Sequence, residues 1–388
     1  MTVTYAQVAP VVYGVGAIAS LAEEAKKLGA TKVLCVYTSD LAGSAAVKGA
    51  HASLEAAGMP YVDFDQVVPD PPVDAIDAGA ALATAEGVDC LVAVGGGSSM
   101  DAAKAIAVVL TRGGSVVNYL QDPPLQVDLE VPVITVPTTA GTGSEVSTVA
   151  VISNPATNTK PAIAVHGTLA LIDPELTASM PPRLTVNTGM DVLCHCMETM
   201  TGKDNKNPLS TVLARDAIRR VFEYLPRAAA NGQDLEAREN MALAANFAGI
   251  GISNNHCHLG HAVADSFSAA FHTPHGLNCI WGEAEVFRLV APAVPEEMRD
   301  IARCMGLAVA EDAPVEQVAD AVADAIYDLM RTCNVASLAE SGFAREDVVA
   351  CADHIMANFL VTHCPLDVTR EQVVELLGKI YDTYRLEA

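Results

Sequence analysis

Short apolar runs alternate with helical stretches through the first half of the chain, and this alternation limits the folds open to it. Residues 32–37, 89–94 and 131–136 are apolar runs of the length typical of buried strands. Residues 45–57 and 102–110 follow the first two runs and have helical spacing. Strands and helices in this order predict a mostly parallel sheet that helices cover on both faces.

The pattern changes after about residue 182. Residues 209–225, 235–250 and 315–331 have helical apolar spacing with charged faces, and strand-like runs no longer occur. Residues 369–385 predict a final helix that begins with a threonine cap. The second half is therefore predicted to be all-helical.

Two adjacent prolines, Pro181 and Pro182, mark the change. Proline supplies no amide donor and pushes the residue before it away from the helical conformation. At 388 residues the chain is too long for one ordinary core. We therefore predict two domains, an α/β domain over residues 1–182 and an all-α domain over residues 183–388.

Charge and cysteine usage argue against several classes of partner. The formal net charge of −24 repels nucleic acid and anionic lipid. No apolar run reaches the roughly 18 residues of a membrane span, and the first thirty residues lack a secretory pattern. The ten cysteines have no paired CxxC spacing, which indicates reduced thiols. We expect a cytoplasmic protein with neither a nucleic-acid nor a membrane partner.

Two turns rich in glycine and hydroxyl groups follow predicted strands. Residues 95–101 have the sequence GGGSSMD, and residues 137–145 have the sequence PTTAGTGSE. Glycines let the backbone approach a ligand, and a helix N-terminus attracts an anion such as a pyrophosphate. The first turn matches neither GxGxxG nor GxxxxGK[ST], so a tight structural turn is the alternative. Because open α/β sheets bind ligands at the carboxyl ends of their strands, a dinucleotide is favoured here.

One carboxylate and three imidazoles form a candidate metal site in the second half. Asp191 and His195 are four residues apart and share one face of any helix that contains them, and His261 and His275 follow. Such ligands suit Fe(II), Zn or another first-row ion. Any one of these histidines taken alone is more simply a packed core or surface residue. The four residues together favour a metal.

Four stretches resemble the iron-dependent (group III) alcohol dehydrogenase family. They are GGGSSMDAAK at 95–104, PTTAGTGSEVS at 137–147, GMDVLCH at 189–195 and GHAVADSFSAAFHTPHG at 260–276, and together they extend over nearly the whole chain. The resemblance implies a Rossmann-like dinucleotide-binding domain similar to that of dehydroquinate synthase, followed by a helical metal-binding and catalytic domain. It also implies NAD(P)-linked interconversion of an alcohol with an aldehyde or ketone.

The resemblance also assigns roles to individual positions. The implied metal ligands are Asp191, His195, His261 and His275. The implied cofactor-binding residues are Gly95, Gly96, Gly97, Ser98 and Asp101 around the pyrophosphate, Thr138, Thr139 and Thr142 on the adenine and phosphate side, and Lys160 at a ribose.

Three departures from the family pattern bear on the cofactor and on proton transfer. Thr38 stands where many members have an aspartate that binds the ribose and excludes a 2′-phosphate, so NADP stays open beside NAD. Asp70 replaces an asparagine and adds negative charge near the cofactor. Asp265 replaces a histidine near the nicotinamide, so His272 and Asp265 become the candidate proton donors, directly or through water.

The substrate is the least determined feature. A small primary alcohol or aldehyde is expected, and His256 and His258 favour a polar or anionic one. The alternatives on the same fold are a hydroxyacid-oxoacid transhydrogenase, a glycerol dehydrogenase-like zinc enzyme and a dehydroquinate synthase-like lyase. A binding protein without activity is a further alternative. A homodimer or larger homo-oligomer is expected from general frequencies.

Overall fold

The computed structural model describes residues 2–121, 123–157 and 159–386. Residues 7–179 form one compact unit, and the described parts of 1–6 and 180–388 form a second. The first unit is built on a parallel sheet and the second is helical, so the predicted fold class is confirmed.

The α/β unit contains a six-stranded parallel sheet in the order β1-β8-β5-β4-β2-β3, and β6 pairs with β7 in a separate antiparallel ribbon. Its strands are β1 (Val11–Tyr13), β2 (Val33–Thr38), β3 (Tyr61–Val67), β4 (Cys90–Gly95), β5 (Val133–Pro137), β6 (Val149–Val151), β7 (Ala162–Ala164) and β8 (Leu169–Ile172). Its helices are α1 (Leu21–Lys27), α2 (Ala45–Ala56), α3 (Val73–Glu86) and α4 (Gly97–Arg112).

The order of the strands places a ligand-binding edge. The chain runs from β2 outward to β3 and then returns to the other side of β2 with β4, so the direction of winding reverses between β2 and β4. Open parallel sheets bind ligands outside the carboxyl ends of the strands at such a reversal. Apolar side chains on the two faces of the sheet form two buried clusters, as expected of a sheet covered on both faces.

The second unit contains helices in all the segments where they were predicted. Its helices are α5 (Pro182–Thr201), α6 (Pro208–Ala230), α7 (Leu235–Asn254), α8 (Leu259–Phe271), α9 (His275–Val290), α10 (Pro295–Cys304), α11 (Val315–Thr332), α12 (Arg345–Ala350), α13 (Ala352–Ala357) and α14 (Arg370–Thr383). Proline stands at the first position of α5, where its fixed φ suits a helix and its missing amide donor costs nothing. Thr369 and Gln372 form a reciprocal capping box at the start of α14. Across the described residues, every helix is too short or too polar to cross a bilayer.

Candidate metal centre and dinucleotide-binding edge

Three helices of the second unit bring the predicted metal ligands together. Asp191 and His195 lie one turn apart on α5, His261 lies in the first turn of α8, and His275 is the first residue of α9. The Oδ1 atom of Asp191 lies 3.8 Å from Nε2 of His195, 3.7 Å from Nε2 of His261 and 3.8 Å from Nε2 of His275. Each of the three histidines therefore lies close to the Asp191 carboxylate, and Asp191, His261 and His275 belong to one group whose candidate ligand atoms all lie within 4.8 Å of one another.

A cysteine that sequence reasoning did not single out lies at the same point. The Sγ atom of Cys279 on α9 is 3.6 Å from Oδ1 of Asp191, 3.7 Å from Nε2 of His261 and 3.6 Å from Nε2 of His275. The available signal was its spacing, because Cys279 follows His275 by four residues, as His195 follows Asp191.

The donor spacing fits a first-row metal ion. Ligands bound at 2.0–2.3 Å in a tetrahedral arrangement stand about 3.3–3.8 Å from one another. Every separation measured between Asp191 and the surrounding donors falls within this range. Direct hydrogen bonds would bring nitrogen and oxygen closer, to about 2.7–3.2 Å. The separations from Asp191 are therefore compatible with donors around a shared ion.

Exposure differs sharply among the ligands. Asp191, His195 and His261 are buried. The side chain of His275, by contrast, is 44% exposed. The centre thus has a closed side within the helices and an open side at His275, from which a small molecule can approach.

A buried carboxylate orients one of the ligands. Oε1 of Glu198 on α5 lies 2.5 Å from Nδ1 of His261, and Oε2 accepts a hydrogen bond from the backbone amide of His258. A carboxylate on Nδ1 fixes the imidazole so that its Nε2 faces the metal and is more basic. Sequence reasoning missed Glu198, although it lies three residues after His195.

The pKa values of the proposed ligands and of Glu198 are shifted in different directions. Burial opposes ionisation of Asp191, but the neighbouring histidines, His195 first, hold the pKa of this carboxyl below its ordinary value. Burial also lowers the pKa of His195 to about 4. Glu198 is likewise kept ionised, with a pKa of about 2, because the charges of His261 and His258 outweigh the cost of burial. The ionised Asp191 and the neutral His195 have the forms in which these side chains bind metals. The pKa of His261 is raised instead, and Cys279 and Asp191 raise that of His275 to about 10, so these two rings would each release a proton when an ion binds.

Gly276 permits the close packing of α9 on α5. A Cβ atom at this position would stand 1.9 Å from the carbonyl oxygen of Asn187 and 3.1 Å from Cβ of Asp191. Only glycine fits between the two backbones, so this contact sets the distance from His275 to Asp191.

In the α/β unit, the two glycine- and hydroxyl-rich turns meet at the carboxyl edge of the sheet. Gly95 pairs in register with Pro137, and the amide of Thr138 donates to the carbonyl of Gly95 at 2.9 Å. Cβ atoms at Gly96 and Gly97 would lie 3.3 Å from Thr139 and 3.0 Å from Thr142. The turns therefore form one narrow cradle beside the switch point.

This cradle fits a pyrophosphate. The sixteen-residue helix α4 begins at Gly97, so its first amides and its positive dipole end point into the cradle. The hydroxyl of Ser99 is buried and has no hydrogen-bond partner among the described residues. Ser98 accepts a hydrogen bond from the amide of Asp70, whose carboxylate forms a 2.7 Å ion pair with Lys160. Ser98, Asp70 and Lys160, all predicted to bind the cofactor, are thus neighbours.

Asp101 and its buried neighbour Lys104 support the second turn from within. The carboxylate of Asp101 accepts hydrogen bonds from Ser144 at 2.6 Å and from the amide of Val151 at 3.1 Å. The ammonium of Lys104 donates to Ser144 and Ser147 at 2.9 and 3.2 Å. Asp101 therefore positions the turn that carries Thr142, and direct contact with a cofactor stays a prediction.

The remaining predicted residues have varied surroundings. Thr38 ends β2 at the switch point, where the pairing of β2 with β3 shifts register. Asp265 accepts a 2.9 Å hydrogen bond from Asn358, and His272 is an exposed residue with φ of 53° just after α8.

His258 is fully buried, with Nε2 2.9 Å from the Thr201 hydroxyl, and its contacts are those of a packed core residue. His256 stacks on His363.

A doubly wound sheet with glycine-rich turns beside its switch point, and a helical unit in which one carboxylate lies close to three histidines, are the features expected of the dehydrogenase class that the sequence resembles. The family description "Iron-containing alcohol dehydrogenase" matches residues 9–174, and "Fe-containing alcohol dehydrogenase family, C-terminal" matches residues 185–381. The chain belongs to the iron-containing alcohol dehydrogenase family.

Individual relatives differ in their substrates. Choline dehydrogenase of Bacillus subtilis (strain 168) is 38% identical over 338 residues, which are 85% of this chain and 83% of that protein. The NAD-dependent methanol dehydrogenase of Bacillus methanolicus is 31% identical over 94% of this chain and 96% of its own. Among solved structures, sulfoacetaldehyde reductase from Bifidobacterium kashiwanohense in complex with NAD+ has a TM-score of 0.90 at 28% identity, over 99% of this chain and 100% of that one.

Proposed function

We propose that this protein is an NAD(P)-dependent alcohol dehydrogenase or aldehyde reductase that acts on a small primary alcohol or aldehyde with a metal at the centre around Asp191. The observation that carries the proposal is the convergence of that carboxylate with His195, His261 and His275 at separations of 3.7–3.8 Å. Iron is the proposed ion, and zinc is the alternative. When bound, such an ion would polarise the carbon–oxygen bond of the substrate, whose carbon donates or accepts the hydride.

The residues of the chain bind, orient and shield the reactants. Glu198 holds His261 in the tautomer that presents Nε2, and burial keeps water from three of the four ligands. The open side at His275 admits the substrate. Gly95, Gly96 and Gly97, with the N-terminus of α4, would hold the pyrophosphate of a dinucleotide, whose nicotinamide would supply hydride chemistry.

NAD is the preferred cofactor in this proposal, and NADP stays open. Lys160 forms an ion pair with Asp70, so a 2′-phosphate that approached this cation would meet a carboxylate already paired with it. Thr38, in turn, offers a hydroxyl where a carboxylate would repel that phosphate. The ratio of activities with NADH and NADPH measures the balance of these two effects.

A proton must reach the substrate oxygen when an aldehyde is reduced. His272 is the favoured donor because it is exposed and lies three residues before His275. Asp265 already accepts a hydrogen bond from Asn358 and lies one turn after His261, so a supporting role suits it better. Replacement of His272 by Gln shifts the pH profile of reduction if this assignment is right, whereas Asp265→Asn leaves it in place.

The substrate is proposed to be small and polar or charged. Two relatives named above act, by their names, on choline and on sulfoacetaldehyde, which carry opposite charges, and a third acts on methanol. Burial of His258 removes one of the two histidines from which an anion was expected. The proposed class therefore includes cationic, neutral and anionic small alcohols and aldehydes.

An anaerobic hydride-transfer assay tests the proposal. Protein reloaded with Fe(II) is assayed with cationic, neutral and anionic small aldehydes, with NADH and NADPH in parallel. Activity that disappears with a chelator and returns with metal is expected, and Asp191→Ala is expected to lose metal and activity while still binding nucleotide. If metal and nucleotide both bind but no aldehyde is reduced, the transhydrogenase or the lyase replaces this proposal.

A further inference from the structure

Cys279 completes a set of donors around the proposed metal, and the inference drawn from it rests on the metal centre of the proposed function. Its Sγ atom belongs to a group with Asp191, His261 and His275 in which all candidate ligand atoms lie within 4.8 Å of one another. Five of the six separations in this group are 3.6–3.8 Å. A sulfur and three lighter donors on one first-row ion would be spaced in this way.

We propose that the thiolate of Cys279 is a protein ligand of the metal, beside Asp191, His261 and His275. The side chain is fully buried and lies one helical turn after His275, so both residues of α9 face the same point. A thiolate favours zinc, cobalt and iron over magnesium and manganese, because sulfur is a soft donor. The centre thus selects against hard ions more strongly than a set of one carboxylate and three imidazoles would.

Two other thiols in candidate ion-binding groups fit less well. Cys35 lies near His51 and Asp63 in the α/β unit, but Nε2 of His51 is only 2.8 Å from Oδ1 of Asp63. That separation is a direct hydrogen bond and leaves no space for an ion between the two atoms. Cys257 lies near His195 and His261, outside the group that contains the Asp191 carboxylate. Cys257 is therefore the natural control.

Substitution by cobalt tests the ligand directly and without an activity measurement. Metal-free wild type, Cys279→Ser and Cys257→Ser are titrated with Co(II) without oxygen, and absorption is recorded from the near ultraviolet to the red. Wild type and Cys257→Ser are expected to show sulfur-to-cobalt charge transfer. Cys279→Ser is expected to lose it and to keep the weaker visible bands of cobalt bound to nitrogen and oxygen.

Affinity for two metals supplies a second measurement. Loss of a ligand should weaken Zn(II) binding by at least about tenfold, since even outer partners of ligands are worth about 10- to 100-fold. Mn(II) binding should change less, because manganese gains little from sulfur. Circular dichroism of the full chain separates a change in the centre from a failure to fold.

The remaining outcomes contradict either the assignment of Cys279 as a ligand or the proposed metal centre itself. Charge transfer that persists in Cys279→Ser, or that is lost only in Cys257→Ser, overturns the assignment of Cys279. Wild type that binds Co(II) without charge transfer overturns it as well, but leaves the proposed function intact. Wild type that binds no Co(II) contradicts the metal centre of the proposed function itself.

Discussion

The imidazole of His261 is held by a buried carboxylate on one ring nitrogen and faces Asp191 with the other. Its Nδ1 lies 2.5 Å from Glu198, while its Nε2 points toward Asp191. Glu198 in turn accepts the amide of His258 at the start of α8. The carboxylate therefore fixes both the ring and the helix end that presents it.

Removal of the charge at Glu198 should loosen the metal. We expect Glu198→Gln to weaken Fe(II) or Co(II) binding by about 10- to 100-fold, because the amide no longer raises the basicity of His261. Metal content after dialysis against graded chelator measures the effect. Glu340→Gln, far along the chain in the same helical unit, is the control. Wild-type metal affinity in Glu198→Gln would show that this carboxylate does not support metal binding.

At the scale of helices and turns, glycine determines how closely elements approach. The N-terminus of α9 contacts α5 through Gly276, and the N-terminus of α4 contacts the second turn through Gly97. The first contact shapes the metal centre and the second shapes the cradle. A glycine-to-alanine substitution adds one methyl group at either contact and so tests its closeness.

The contact of α9 with α5 should not tolerate that methyl group. In Gly276→Ala the new Cβ stands 1.9 Å from the carbonyl of Asn187, so α9 must move and carry His275 and Cys279 with it. Overpacking of this kind costs about 1–3 kcal/mol or more. We expect a lower melting temperature and less bound metal. Gly43→Ala, whose Cβ would meet nothing within 4 Å, should melt like wild type.

The cradle should respond in cofactor affinity rather than in metal content. In Gly97→Ala the Cβ stands 3.0–3.1 Å from Thr142 and occupies space at the first amide of α4. A charge-assisted hydrogen bond contributes about 1.5–3 kcal/mol, so NADH affinity should fall by about 10- to 100-fold. Fluorescence titration with NADH measures this. Wild-type affinity in Gly97→Ala would show that the pyrophosphate binds elsewhere.

At the scale of the whole molecule, buried thiols make stability depend on pH above neutrality. Burial raises the pKa of Cys90 to about 12 and that of Cys364 to about 11. Above the ordinary thiol pKa of 9.0 the unfolded chain loses these protons, while the native chain retains more of them until the pH passes the raised values. Because the unfolded state then binds fewer protons, the free energy of unfolding falls as pH rises.

The size of this fall can be measured with one substitution. At pH 10, one unit above the unfolded thiol pKa of 9.0, each such thiol should lower the free energy of unfolding by about 1.4 kcal/mol relative to neutral pH. We therefore expect Cys90→Ala to lose less stability than wild type between pH 8 and pH 10. Denaturant unfolding of both proteins at the two pH values provides the comparison, and parallel losses would contradict it.

The sequence by itself determined the class of fold and the local pairs of the sites. Alternating runs predicted the sheet because strand and helix periodicities are local, and the predicted strands begin or end within two residues of the observed ones. The spacing of Asp191 and His195 placed both on one helical face for the same reason. The glycine turns after β4 and β5 indicated the cradle because parallel strands end at one edge.

Only the tertiary structure decided which distant side chains meet. Glu198 reaches His261 because α5 packs beside α8, and Gly276 contacts Asn187 because α9 lies against α5. Cys279 was one of ten cysteines, and its four-residue spacing from His275 is a signal only when one helix contains both residues. Periodicity fixes which residues share a face, but helix packing fixes what that face contacts. The thiol of Cys279 beside Asp191 and the carboxylate of Glu198 beside His261 therefore became visible only in the folded chain.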